Sequence, residues 1–594
     1  MRPISSETMY DLKIINARIV DGSGQPAYDG AIGIVAGKLT AVGSAPDSAL
    51  HTIDAGGFLV TPGFVDIHTH YDGQATWDAD MKPSSSHGTT TAVMGNCGVG
   101  FAPVRTADRA KVIELMEGVE DIPGAVLTEG IRWQWQTTAE YLDALATMPR
   151  AIEVAVQVPH DALRMWAMGE RAVAGEQATD ADIAAMCDEL RQGLLAGAVG
   201  FSTGRTDNHR TKRGAPTPAA EATVRELAGI AKAFEGLGHG VLMAVSDYDM
   251  DAGPDRFDAE FDVVQAMAQA APTHKTSLSV SQRDLEPDQW RRIFARAQQA
   301  VAQGLAIKLQ VAPRGIGVLL GLEATFHPFM GCPSYKKIAH LPIEERVATL
   351  RDPQFRTQLL SEQNDKVAGD GSSIPPLADR MLAMLDQLAF KLFRLGATPN
   401  YEPSLADSLG MAAKKRGVTA RHEIYDALLE DDGKALIYFP IYNYQAFNLE
   451  VVREMLHHPL ALPGLSDGGA HAGTICDASF PTFLLTWWTR DRPTGRLSVE
   501  RAVQMLCADT ADHMGFADRG RLVPGLRADI NIIDYTNLGL DVPRLVADLP
   551  AGGKRLLQTA TGYKATLVAG HVVAQDGVLT GKRPGGVVRL GQAS

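Results

Sequence analysis

Two patterns of apolar and polar positions divide the chain, and each predicts a different kind of element. Over residues 10–60 the apolar runs are short and β-branched: DLKIINARIVDGSG, GAIGIVAGKLTAVG and HTIDAGGFLVTPG. Each is bounded by Gly or Asp-Gly, so they predict strands separated by tight turns. The same texture returns in GRLVPGLRADINIIDY and YKATLVAGHVVAQDGVLTG near the other end. The two ends, residues 1–60 and 516–594, are therefore expected to pair into one small β-sandwich.

Between them, strand-length apolar runs alternate with helical stretches. The runs are GFVDIHT, TAVMGN, EVAVQVP, AVGFS, VLMAVS, TSLSVS, AIKLQV and ALPGLSD. DADIAAMCDELRQGLLAG and EATVRELAGIAKAFEGLG place Ala and Leu three and four positions apart, the spacing of an amphipathic helix. This alternation predicts parallel βα units and an α/β class. Eight units close a (β/α)8 TIM barrel over residues 61–515, whose chemistry is expected where strand C-termini meet their following loops. One interval, about residues 312–460, is too long for a βα connection and predicts a large insertion before the last barrel strand. It holds LLGLEATFHPFMGCPSY, LADRMLAMLDQLAFKLF and ALIYFPIYNYQAFNL, enough apolar and aromatic content to pack. Such a subdomain serves as a lid over substrate or as an oligomer interface.

Composition narrows the class. At 594 residues and 45% hydrophobic content the chain can bury a large core. Its 56 Lys and Arg stand against 70 Asp and Glu, a net charge of −14, which disfavours nucleic acid or an anionic membrane face as partner. The cysteines, Cys97, Cys187, Cys332, Cys476 and Cys507, are odd in number and scattered, unlike a disulfide framework. The opening MRPISSETMYDLKII lacks the apolar core of an export signal, and no run reaches the ~18 apolar residues of a spanning helix. A cytoplasmic enzyme with a small-molecule substrate is the expectation, with a homo-oligomer left open.

The candidate chemistry sits at strand ends. In TPGFVDIHTHYDG, His68 and His70 are two apart, so both side chains project from one face of an extended segment. A lone His-x-His pair is commonly structural, but the preceding Pro-Gly, the apolar FVDI and the following loop turn the reading toward a bound ion. Cys97 lies in GNCG; a free Cys is commonly a small buried hydrophobe, yet its thiolate is a strong zinc ligand. Asp467, in LSDGGAH, ends the last strand before two glycines, where it could also serve as a helix N-cap.

PGFVDIHTH resembles the first barrel strand of the amidohydrolase superfamily, and LVPGLRADINIID its return into the β-sandwich. Within that superfamily GNCGVGFAPV, VPHDALR, GFSTG and LSDGGAH resemble the D-aminoacylase (N-acyl-D-amino-acid deacylase) branch. The resemblance implies a metal-dependent hydrolase of a C–N amide bond, an N-acyl-D-amino acid or a related amide. It implies Zn2+ as cofactor, one ion or two, with another divalent metal open, held by His68, His70, Cys97 and Asp467. Asp467 is then the residue that takes the proton from the attacking water and returns it to the departing amine. The alternatives are a cyclic amide hydrolase or deaminase of the same superfamily, or a non-catalytic scaffold.

Two positions depart from the branch, which expects a metal-binding His at the ends of the fifth and sixth strands. Here VLMAVSDYD and TSLSVSQRD put Ser246 and Ser281 there. Neutral hydroxyls replace imidazole poorly on zinc, so a mononuclear site, or one completed by other ligands, is expected. No lysine ends the third or fourth strand, so a carboxylated lysine bridge is not expected. His160, Arg205, His209, Ser281, Arg314 and His471 are the candidate substrate-binding residues, the two arginines as partners for a carboxylate.

Overall fold

The computed structural model describes residues 9–44, 48–206, 208–368, 374 and 377–592. All eight apolar runs form strands of one sheet: β1 (Phe64–Asp66), β2 (Thr89–Met94), β3 (Glu153–Pro159), β4 (Gly200–Arg205), β5 (Val241–Ser246), β6 (Lys275–Val280), β7 (Ala306–Val311) and β8 (Ala461–Pro463). Each lies parallel to its neighbours, in chain order. β3 and β4 are buried at every residue, the environment of a parallel sheet covered on both faces. The edges β1 and β8 are tied just beyond their ends. His70 N–H donates to Gly468 O at 2.7 Å, Asp467 N–H donates to His68 O at 3.1 Å, and Thr69 bridges Gly468 in parallel register. The Ser466 hydroxyl donates to Asp66 on β1. This seam joins the two segments that carry the candidate ligands.

The strands at the two chain ends share a nine-stranded sheet. Its central strand, Leu59–Pro62, runs parallel to Tyr10–Ile19 and antiparallel to Ile530–Ile533. Leu12, Ile14, Ile32 and Ile34 pack there with Ile530, Ile532 and Leu567. Because Leu59–Pro62 runs almost directly into β1, this packing anchors the approach to His68.

The helices follow the expected spacing. Asp180–Leu195 opens with a capping box in which Thr179 and Asp182 satisfy each other's backbone N–H. The helix expected from residue 221 begins instead at Val224, because Thr223 caps it by accepting the Glu226 N–H. Between β7 and β8 the chain builds a three-stranded antiparallel sheet from Gly317–Leu320, Phe393–Arg394 and Ile437–Pro440. Phe326, Phe329, Tyr335, Leu350, Ile424 and Tyr425 form a separate apolar core around it. No helix among the described residues is long and apolar enough to cross a membrane.

Candidate metal centre

β1 delivers His68 fully buried and His70 2% exposed. His68 Nδ1 lies 2.7 Å from Gln310 Oε1 on β7, and Gln310 Nε2 in turn donates to Ser277 Oγ at 3.0 Å. An amide oxygen only accepts, so Nδ1 carries the hydrogen and the Nε2 lone pair is free. That lone pair faces Cys97 Sγ at 3.2 Å and Asp467 Oδ1 at 3.4 Å. His70 Nε2 lies 3.6 Å from the same carboxylate oxygen. Donor atoms of His68, His70 and Cys97 all lie within 4.8 Å of one another.

The loops are shaped to bring these atoms together. Asn96 Nδ2 donates to Thr69 O at 3.1 Å and to Val93 O at 2.9 Å, while its Oδ1 accepts from Gln157 Nε2 at 2.7 Å. Cys97, the next residue, is thereby pinned against the end of β1. Gly98 has φ 79°, and a Cβ there would come within 2.7 Å of Gly204 N, so GNCG and GFSTG meet backbone to backbone. Gly469, at φ 94°, would bring a Cβ to 2.8 Å from His70 O. Cys97, Leu465, Asp467 and His471 all adopt positive φ. Such backbone costs on the order of 1–3 kcal/mol per non-glycine residue and gathers at functional sites.

Burial and close contact perturb these groups strongly. Burial pushes the Cys97 thiol up to about 11 and His68 down to about 4. Burial would also lower His70, but the charges of Glu120 and Cys97 outweigh it and raise the imidazole well above its ordinary value. Asp467 is held well below the usual carboxylate range, because His70 and His68 outweigh its burial. His70 Nδ1, Asp467 Oδ1 and both carboxylate oxygens of Glu120 are buried with no hydrogen-bond partner. Orphaned polar atoms beside an imidazole–imidazole–thiol cluster fit a borderline-soft divalent ion such as zinc.

The remaining expected residues divide into two groups. His471 Nε2 lies 3.9 Å from Glu120 Oε2, and half-buried His209 feels the charges of His471, His70 and His68, so both belong beside the cluster. Ser281 follows β6 directly and is half-buried. Ser246 Oγ accepts the Tyr248 N–H at 2.9 Å, closing a turn after β5. The other three substrate-binding candidates have protein partners. His160 is fully buried, with Nδ1 2.9 Å from Thr203 Oγ1 and Nε2 3.0 Å from Glu226 Oε1, a carboxylate that also receives Arg164. Arg205 is bonded to Glu260 at 2.8 Å and to Ala222 O. Arg314 is 1% exposed, bonded to Asp477 Oδ1 at 2.9 Å and stacked on the Tyr401 ring at 3.6 Å. These groups tie neighbouring loops together, although Arg314 Nε and Nη1 have no hydrogen-bond partner.

Two predictions separate these roles. Replacing Cys97 with Ala should weaken zinc binding by more than the roughly 10- to 100-fold that loss of an outer partner costs. Cys187→Ala, on the helix Asp180–Leu195, should leave it unchanged; equal zinc content by elemental analysis in the two variants removes Cys97 from the centre. Arg314→Ala strands Asp477 in the interior, so it should cost about 3–5 kcal/mol of stability, read as a lower denaturation midpoint. Unchanged stability together with a raised KM would restore Arg314 as a substrate residue.

Sequence reasoning missed Glu120, Gln310, Asn96 and Asp66. A signal existed for Gln310, a polar residue near the end of the apolar run AIKLQV, and for Asn96 beside Cys97. Glu120 had none, because the helix that carries it, α1 (Arg109–Glu120), lies well beyond the end of β2.

Comparison with known proteins adds an independent line. A model described as "Amidohydrolase family" matches residues 51–574. The chain is 27% identical over 586 residues to D-aminoacylase of Alcaligenes xylosoxydans xylosoxydans, covering 98% of each. Among solved structures, the crystal structure of D-aminoacylase matches with TM-score 0.63 and 22% identity, over 98% of this chain and 99% of that one. N-acyl-D-glutamate deacylase from Bordetella bronchiseptica, complexed with zinc and a phosphonate inhibitor, matches with TM-score 0.63 and 24% identity, over 98% and 100%. At these identities the structural likeness bears on the fold.

Proposed function

The chain belongs to the amidohydrolase family, and from that premise we propose a metal-dependent hydrolase of C–N amide bonds whose substrate is an N-acyl-D-amino acid or a related amide. The observation that carries this reading is the meeting of His68, His70, Cys97 and Asp467 from the ends of β1, β2 and β8, with Asp467 Oδ1 buried and unpartnered. These four residues would hold the ion, zinc by the chemistry of the donors. When bound, a divalent ion supplies Lewis acidity that polarises the scissile carbonyl and acidifies water.

The chain's own groups do the rest. Asp467 is the most exposed of the four, its side chain 15% accessible against 0% and 2% for the histidines, so it is the group that meets incoming water and substrate. It accepts the proton of the attacking water at a carboxylate oxygen and delivers it to the departing amine nitrogen. Gln310 holds the His68 ring, and Asn96 holds the Cys97 loop against β1.

Three further readings belong here. The terminal segments, 1–60 and 516–594, are read as a β-sandwich beside a barrel of residues 61–515, with 312–460 as its insertion; one apolar cluster confined to the insertion and another confined to the terminal segments support that division. Five free cysteines suit a reducing cytoplasm. His471 and His209, beside the cluster, are the better candidates for substrate contact.

The test uses the purified full chain. Expected are stoichiometric zinc and hydrolysis of N-acetyl-D-amino acids in preference to their L enantiomers. A protein without bound metal overturns the metal reading, and hydrolysis confined to L substrates or cyclic amides overturns the substrate class.

A further inference from the structure

We propose that Glu120 is a positioning residue of the metal centre: its carboxylate receives the Nδ1–H of His70, so that Nε2 of that ring is aimed at the ion. The proposal rests on the metal-hydrolase reading above.

Glu120 is 1% exposed, and neither carboxylate oxygen has a hydrogen-bond partner. A buried carboxylate is retained only against a compensating cation or donor, since its desolvation costs several kcal/mol. Two imidazoles flank it, His70 Nδ1 at 3.2 Å from Oε1 and His471 Nε2 at 3.9 Å from Oε2. The His70 nitrogen is itself buried and unpartnered. Contact distance without hydrogen-bond alignment, between two atoms that have no other partner, is a pairing completed when the ring is drawn from its other side.

The two ligand histidines are arranged alike. His68 turns Nε2 toward Cys97 and Asp467 and rests Nδ1 on Gln310. His70 turns Nε2 toward Asp467 and Nδ1 toward Glu120. A carboxylate behind a ligating imidazole fixes its tautomer and raises its basicity. That matters more here than in a centre with further imidazoles, because β5 ends in Ser246, whose oxygen already closes a turn.

Glu120 is also held where it stands. Its carbonyl accepts the His471 N–H at 2.5 Å, which ties the end of α1 to the loop after β8. The next residue, Asp121, has φ 50° and accepts from Thr325 Oγ1 at 2.9 Å. Thr325 N–H donates to Gly473 O at 3.2 Å. The segment after β7 thus braces the Glu120 turn against the loop that carries Asp467.

The experiment compares wild type, Glu120→Gln and Glu120→Asp in the full chain. Zinc affinity is read by chelator competition, the Co2+-substituted protein by its visible spectrum, and the metal-free fold by thermal denaturation. Glu120→Gln should bind zinc about 10- to 100-fold more weakly with altered Co2+ bands, while the metal-free protein keeps a cooperative thermal transition. Glu120→Asp keeps the charge but withdraws it by one methylene, and should also weaken zinc. If either folded variant binds zinc as tightly as wild type with an unchanged Co2+ spectrum, Glu120 has no positioning role. Wild type that binds no zinc overturns the metal reading and this inference together.

Discussion

Exchanging Asp467 for Asn should lower kcat by a factor of about 10^2 to 10^4, the usual contribution of a general acid–base, while substrate binding changes far less. Asn preserves the volume and one acceptor oxygen, so the seam beside it, built on the Asp467 N–H to His68 O bond, should survive. The loss is chemical, because an amide cannot accept the proton of the attacking water or deliver one to the amine. A larger fall, with weaker metal binding, would show that loss of the hold of Asp467 on the ion adds to the loss of proton transfer. Its position 3.4 Å and 3.6 Å from the two imidazoles allows both duties. The acid limb of kcat/KM in the wild type should report protonation of the system that includes Asp467, so in the variant that limb should move. Near-normal turnover with the limb unmoved would falsify the assignment of the eighth-strand motif.

The parts of this molecule legible in sequence are those fixed by local pattern. β3 and β4 are buried on both faces and show no alternation, so they read as strands by their short length between helical stretches. His68 and His70 were legible because their spacing and the β1 run coincide. The pairing of the chain ends followed from two regions of identical texture, since neither could bury its apolar face alone. What stayed hidden depends on tertiary partners. Arg314 and Arg205 show a charge in sequence but not the Asp477 and Glu260 that consume it. His160 stands out in sequence as a polar residue after an apolar strand, yet Thr203 and Glu226 take both its ring nitrogens. The three strands after β7 pair across long intervals, which no window of sequence reveals. Glu120 is the extreme case, a helix-terminal residue whose nearest charged partners, His70 and His471, are distant in sequence.

Replacing His68 and His70 together with Ala should remove bound metal and abolish turnover while the fold persists. The pair stands just beyond the end of β1, but both side chains are buried there, so their removal has a stability cost. Gln310 loses its ring partner, and a buried group left unsatisfied costs about 1–3 kcal/mol. Glu120 loses its nearest imidazole and Asp467 loses both. Against this, the seam between β1 and β8 is made of backbone atoms of these residues and Gly468, which substitution by Ala leaves in place. The sheet should therefore stay assembled, with a lowered denaturation midpoint, intact far-ultraviolet circular dichroism and no stoichiometric zinc. Double replacement is the decisive form, since either imidazole alone, with Cys97 and Asp467, still offers an ion three donors of the right kind. A double variant that keeps full metal but unfolds would place the ion elsewhere and make the pair a structural element. One that folds, lacks metal and still hydrolyses amides would end the metal-dependent reading.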